Sequence, residues 1–362
     1  MSSQWSSEQR ENGGRKTEGR ERKSQCFASL DIGSHTTRLL IARKDGSELV
    51  PVRAERRVTR LAQDFHDDVV TGKAQDANIS ALREYICILE QFQVDKIACG
   101  ATGVVRRARN RQELLDRISC KTGIECKILS EEAEALLSAK GVLSVLVQTA
   151  NDPLIFDVGG GSTEFVLAGP QNSIWSASRP IGAATLTEKY LKCDPPGREA
   201  VKRAALSAEK EVISARVQLF ENPKKNSVDK SIGGFQLVGT AGTVTTLAAM
   251  SIKMQTYVAY RVNGMVLNKH WLSHTIDSLA QMAQADRKLI AGLEPGREDI
   301  ILGGAVIVLE ILSCFGHDSF VVSDAGLLEG LLIELVEKES AGAGVKSAGC
   351  LRTGLTWRLQ TG

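Results

Sequence analysis

Ile155-Phe-Asp-Val-Gly-Gly-Gly-Ser-Thr-Glu164 decides the fold of this 362-residue chain. Short apolar residues run into an aspartate, then into glycines and hydroxyls. The apolar run suits a buried strand, and the glycines let backbone N–H groups approach an anion closely. The same pattern stands earlier, at Ser29-Leu-Asp-Ile-Gly-Ser-His-Thr-Thr-Arg38. A third turn, Leu237-Val-Gly-Thr-Ala-Gly-Thr-Val-Thr-Thr246, has glycines and threonines but no aspartate. Two acid-bearing turns so far apart predict two similar half-domains facing each other across a phosphate. Asp31 and Asp157 stand at matching points, at strand ends. Carboxylates there repel phosphate unless a cation lies between them. Mg²⁺, which takes a few carboxylates plus water and phosphate oxygens, is therefore implied.

Working outward, the elements alternate. Cys26–Ala42 reads as strand, turn, strand. Apolar spacing predicts a helix over Asp76–Phe92, and Lys96–Thr102 reads as a buried strand. Asn110–Ser119 reads as a helix with Asn110 as N-cap and Glu113 completing a capping box. Glu125–Leu129 reads as a strand, and Ser130–Val142 as a helix capped by Ser130. After a loop at Asn151–Pro153 the order repeats. Strands are expected at Leu154–Val158, Glu164–Ala168 and Ile174–Arg179, then a long helix over Gly197–Leu219 and a polar loop over Asn222–Gly234. Strand Gln236–Val238 leads through the third turn into a helix ending near Met250. Helices follow at His270–Gln284 and Asp299–Cys314, then strand Phe320–Ser323 and a helix from Leu327 to about Glu337. The chain is thus α/β with a duplicated strand-rich start. The expected divisions are a disordered tail at 1–25, a first domain at 26–128, a second at 129–314, and a loose tail at 339–362. A C-terminal helix near 315–338 is expected to pack back on the first domain.

Bulk charge argues against a nucleic-acid partner. The first 24 residues hold six basic and four acidic residues, and the remainder is formally neutral. The eight cysteines form no Cys-x-x-Cys pair, and several sit in apolar runs; they read as buried, reduced thiols. No signal-peptide core precedes residue 25, and no apolar run reaches the roughly 18 residues of a membrane span. The cytoplasm is the expected location, with no membrane partner and a homodimer as the expected assembly.

The chemistry follows from a few side chains. Neither a Walker-type Gly-x4-Gly-Lys-Ser/Thr nor a correctly placed Gly-x-Gly-x-x-Gly is present, which removes the P-loop and dinucleotide readings. Glu131, Glu132 and Glu134 open a helix, where acids usually serve the macrodipole. Glu134 lies one turn in and can point into a cleft, where a carboxylate opposite a phosphate can orient and deprotonate a water. Arg106, Arg107, Arg109 and Arg111 crowd one stretch, and a guanidinium fork matches phosphate oxygens. His270 and His274 are spaced i, i+4, but no third ligand is evident for zinc.

Seven ordered motifs then resemble one family. They are Asp31-Ile-Gly-Ser-His-Thr-Thr-Arg-Leu39, Ala101-Thr-Gly-Val-Val-Arg-Arg-Ala-Arg-Asn110, Leu129-Ser-Glu-Glu-Ala-Glu-Ala135 and Asp-x-Gly-Gly-Gly-Ser-Thr-Glu at 157–164. Arg179-Pro-Ile-Gly-Ala-Ala-Thr-Leu-Thr-Glu188 matches a family strand motif, and Gly239–Leu247 and Val322–Gly330 complete the set. The chain resembles the exopolyphosphatase/guanosine pentaphosphate phosphatase family from about residue 26 to 337. The resemblance implies the actin–Hsp70–sugar kinase-like (ribonuclease H-like) fold, with duplicated domains around a central cleft, in its short two-domain form. It implies removal of terminal phosphate from polyphosphate or from guanosine pentaphosphate. Glu134 matches the general base, and Asp157 and Glu164 the metal-linked acids, with Asp31 assisting. Arg106 matches a phosphate-binding arginine. The phosphate loops fall on Gly33, Ser34 and His35, on Gly159, Gly160, Gly161, Ser162 and Thr163, and on Gly239, Thr240, Gly242 and Thr243. Four positions depart from the pattern: His35 for Asn, Glu131 for Gly, Ala133 for Glu, and Leu328 for Arg. A sugar-kinase-like phosphotransferase and a weakly catalytic regulator binding guanosine penta- or tetraphosphate are the alternative functions.

Overall fold

Asp31 lies opposite Arg38 and Asp157 opposite Glu164, each pair one step from the turn of an antiparallel hairpin. In both turns a glycine amide donates to a carbonyl three residues on, Gly33 N to Thr36 O and Gly159 N to Ser162 O, each at 3.0 Å. The two hairpins are the same device used twice. The structure is a computed structural model that describes residues 25–63, 65–146, 153–168, 174–220, 235–341 and 355–358.

Strands β1 (Cys26–Ile32), β2 (Thr36–Asp45) and β3 (Glu48–Val58) form an antiparallel meander. A short hairpin, β4 (Phe65–His66) and β5 (Val69–Val70), precedes helix α1 (Gly72–Gln91), where Thr71 Oγ1 accepts from Ala74 N as the cap. Strand β6 (Lys96–Ala101) returns parallel to β1. Helices α2 (Gly103–Arg107) and α3 (Arg111–Thr122) lead to β7 (Lys127–Ile128), parallel to β6. Helix α4 (Glu131–Val145) follows, and Ser130 Oγ accepts from Ala133 N at 3.2 Å as its cap.

The order then repeats. Strands β8 (Pro153–Val158), β9 (Thr163–Ala168) and β10 (Ile174–Arg179) form the second meander. Helices α5 (Ala183–Tyr190) and α6 (Arg198–Phe220) cross to β11 (Gln236–Thr240), parallel to β8. Next come α7 (Ala241–Ser251), α8 (Ala259–Val262), the edge strand β12 (Val266–Asn268), α9 (Lys269–Gln281), α10 (Gln284–Arg287) and α11 (Ile301–Phe315). Strand β13 (Ser319–Val322) lies parallel to β11, and α12 (Leu327–Ala341) ends the unit. Strand β14 (Thr356–Trp357) adds to β3. The sheets read β14-β3-β2-β1-β6-β7 and β10-β9-β8-β11-β13-β12. Leaving out the edge strands β14 and β12, the two orders superimpose strand for strand. This is the duplicated α/β architecture of the actin-like fold.

Each sheet carries its own apolar layer, and the last helix of each half packs on the sheet of the other. Leu332, Ile333 and Val336 of α12 pack with Phe27, Leu40 and Leu49 of the first sheet. Ala139 and Val142 of α4 pack with Ile155, Val166 and Val238 of the second. Among the described residues no helix is long and apolar enough to cross a membrane.

Several local expectations change. Asn110 is the N-cap residue of α3 but makes no capping bond; its amide instead pairs both ways with the Val70 backbone, so no capping box with Glu113 forms. The Arg179–Glu188 segment, expected as a strand, enters helix α5, because Gly182 turns the chain and Thr185 Oγ1 accepts from its amide. The C-terminal segment is not all loose, since Thr356–Trp357 joins the sheet. Cys26 and Cys99 are buried, but Cys87, Cys120 and Cys193 are exposed; Cys87 lies on α1 away from its buried Leu82, Tyr85 and Leu89. The first 24 residues, Asn151–Asp152, Asn222–Gly234, Cys350 and most of the final segment lie outside the described residues.

Candidate active site

The acids expected from the second hairpin and from α4 meet. Glu134, Asp157 and Glu164 line one narrow crevice with Ser138 and Thr240; its volume, about 10 Å³, leaves room for about one water. Strand ends deliver Asp157 and Glu164, while the Ser130 cap sets the first turn of α4 that presents Glu134. Burial pushes the Glu134 carboxyl up to about 7, with Glu164 and Asp31 adding to the rise and Arg106 opposing it. Burial also raises Asp157 and Glu164, and their mutual repulsion adds to it at Glu164. Ser178 Oγ donates to Glu164 at 3.1 Å.

Arg106 crosses to this acid from α2. Its Nη1 donates to Glu134 Oε2 at 2.6 Å and to Leu129 O at 3.1 Å, and its Nη2 lies 3.6 Å from Glu131. The other arginines of its stretch go elsewhere. Arg107 lies over the Phe65 ring, Arg109 faces Asp68, and Arg111 donates to Arg106 O. Of the four, Arg106 alone is bonded to the crevice acids.

Asp31 is buried, and its Oδ2 accepts two bonds from Arg38, at 3.0 and 2.6 Å. Its Oδ1 is buried and takes no hydrogen bond among the described residues. An orphan carboxylate oxygen close enough to raise the Glu134 carboxyl suits a hard cation. Among the described residues no three acidic, histidine or cysteine side chains form a ready-made metal cage. Mg²⁺ needs none, since it binds through one or two carboxylates and completes its shell with water and phosphate oxygens. The donors present fit that ion.

The glycine turns divide. Gly159, Gly160, Gly161 and Ser162 remain accessible, and the Gly161 Cα faces open space. Thr163 is buried, with its hydroxyl donated to Ile181 O. Gly33, Ser34 and His35 are half-buried. Ser34 Oγ accepts from Val104 N, tying the first turn to α2. Burial lowers the His35 imidazole, and Arg297, Arg60 and Arg56 lower it further, with Asp299 opposing. The third turn is placed differently. A Cβ at Gly239 would meet the Phe156 ring at 2.7 Å. Thr240 lines the crevice but donates its hydroxyl to Ala325 O, and buried Thr243 donates to Val158 O. The structure does not bring Gly239 and Thr243 to the crevice, and Gly242 lies under the Arg297 guanidinium.

Three residues went unread in the sequence. Arg38 holds the place in the first hairpin that Glu164 holds in the second, a signal visible once the two turns are aligned. Arg56 and Arg297 share Glu294 across the two halves, the latter at 2.5 Å. Burial, with Arg297 beside it, lowers Arg56 to about 10. No local motif announces this cationic wall, because its members come from β3 and from the segment before α11.

Comparison with known proteins completes the description. A profile of the Ppx/GppA phosphatase family matches residues 40–339. Exopolyphosphatase 2 of Mycobacterium tuberculosis is 29% identical over 325 residues, covering 85% of this chain and 98% of that protein. A bifunctional 3-dehydroquinate synthase/phosphatase of Fusobacterium nucleatum is 29% identical over 321 residues; they are 86% of this chain but only 47% of that protein, so this chain spans about half its length. The crystal structure of an Aquifex aeolicus Ppx/GppA family member superimposes with a TM-score of 0.73 at 32% identity, covering 87% of this chain and 98% of that one.

Proposed function

We propose, from the premise that this chain belongs to the Ppx/GppA phosphatase family, that it hydrolyses the terminal phosphoanhydride of inorganic polyphosphate by direct attack of water. One observation carries this reading: Glu134, Asp157 and Glu164 line a single water-sized crevice beside an accessible glycine turn, with Arg106 bonded to Glu134. The terminal phosphoryl is held by the amides of the 159–162 turn and by Arg106. Its oxygens compete with Glu134 for the guanidinium, so substrate arrival frees the carboxylate at the moment it is needed. Glu134 then orients a water in line with the departing oxygen and takes its proton. Arg56 and Arg297 meet the charge of the remaining chain. Asp157 and Glu164, with Asp31, would hold Mg²⁺, which would supply neutralisation of the phosphate charge. Positioning and charge stabilisation suffice for phosphoryl transfer, and no covalent nucleophile is required.

The test is phosphate release with Mg²⁺ from long polyphosphate and from guanosine pentaphosphate, side by side, for the wild type and Glu134→Gln. Release from polyphosphate without any added acceptor is expected, and it falls by about 10²–10⁴ in the variant while substrate still binds. Loss of the terminal phosphoryl only when a hydroxyl acceptor is added, with the acceptor phosphorylated and no free phosphate formed, would mark a phosphotransferase instead. Tight guanosine pentaphosphate binding with no release from either compound would mark a regulator.

A further inference from the structure

We propose that His270 and His274 form a second, surface site that binds a divalent transition metal through two imidazoles. They project from the first two turns of α9, and both are exposed. Their Nε2 atoms lie 3.1 Å apart. A metal at the usual 2.0–2.1 Å from each nitrogen would see them at an angle of about 100°, between the cis angle of an octahedron and the tetrahedral angle. The rings stand at 74° to each other with centroids 4.4 Å apart, edge to face.

In the free protein one Nε2 donates to the other. Binding moves that single proton to Nδ1 of its own ring through solvent, and both Nε2 lone pairs then face the ion. Since no third acidic, histidine or cysteine ligand is in place among the described residues, water fills the other positions. Imidazole donors with water suit Ni²⁺, Cu²⁺ and Zn²⁺ over Mg²⁺, so this site does not compete for the ion implied at the crevice. An open groove beside His270, lined by Asn268, Lys269, Ser273 and Asp318, gives access. The sequence reading set the pair aside for want of a third ligand; the bite distance is what restores it.

The experiment is calorimetric titration of the full chain with Ni²⁺ alone, for the wild type, His270→Ala, His274→Ala and Ser273→Ala. Ni²⁺ is the probe because the exposed cysteines favour softer ions. Expected are one site in the wild type, retention in Ser273→Ala, and at least tenfold weaker binding in each histidine variant. In proton spectra the two imidazoles should broaden together at substoichiometric Ni²⁺. Affinity within twofold of wild type in either histidine variant, or broadening that begins at His66, would overturn the site.

Discussion

At Glu134 two requirements oppose each other. A general base works best with a carboxyl poised near the working pH, and burial supplies that by lifting Glu134 to about 7. The same burial makes the ionised form costly. Since the folded value lies above the ordinary 4.5, the group favours folding below pH 4.5 and loses that contribution as pH rises through about 7. Two outcomes follow. Turnover on polyphosphate rises with pH through about 7 on its acid limb, and a flat profile from pH 5.5 to 8 would remove Glu134 as base. Glu134→Gln gains stability over the wild type at pH 8 and not at pH 5, by on the order of 1–3 kcal/mol after allowance for its partial exposure; thermal unfolding at the two pH values reads this directly. Glu131 makes a smaller contribution. It sits where the family pattern has glycine and lies 3.6 Å from Arg106, so it competes with substrate for the guanidinium. Glu131→Gly should lower KM for polyphosphate by about two- to fivefold with kcat unchanged, the scale of an exposed ion pair. An unchanged KM would show that Glu131 has no hold on Arg106.

At the scale of elements, the phosphate turn is held from behind. Gly159 O and Gly160 O accept from Ala183 and Ala184 at the start of α5. A Cβ at Gly182 would come within 2.5 Å of the Gly160 backbone, which has no flexible end to move aside. Gly182→Ala should therefore displace the turn and raise KM at least tenfold, at a stability cost of about 1–3 kcal/mol. Unchanged KM would mean that the turn does not hold phosphate. This clamp also shows what could be read from residues alone. The two hairpins were legible because aspartate, glycine and hydroxyls recur at one spacing, and α4 was legible because Ser130 announces its start. Strand β3 was not: Arg53, Glu55, Arg56 and Arg57 look like a solvated run, whereas Glu55, Arg56 and Arg57 are half-buried and held in ion pairs. The α5 helix was missed because its cap is a glycine amide bonded to Thr185, not a capping side chain. The meeting of Glu134 with Asp157, expected from the family likeness and from the matched turns, is a tertiary fact that no spacing encodes. The Arg56–Glu294–Arg297 wall had no signal at all.

For the whole molecule, the exchanged helices decide how the two halves hold their relative position. Helices α4 and α12 cross with their backbones in contact. A Cβ at Gly330 would fall 2.5 Å from the Leu137 carbonyl carbon, and one at Gly141 would fall 2.9 Å from Gly330 N. Lys140 is buried at the same crossing and paired with Glu337. Because α4 packs on the second sheet and also carries Glu134, while α12 packs on the first, spreading this crossing moves the base relative to both hairpins. Gly330→Ala should lower stability by about 1–3 kcal/mol through overpacking. It should also lower kcat at denaturant concentrations where the chain remains folded. The comparison is Gly72→Ala, at a site where nothing lies within 4 Å of the added carbon, which should leave kcat unchanged. Urea titrations with an unchanged slope, run beside turnover on polyphosphate, separate the two effects. If Gly330→Ala shifts the midpoint but leaves kcat at the wild-type value, the crossing supports the fold without setting the position of the base.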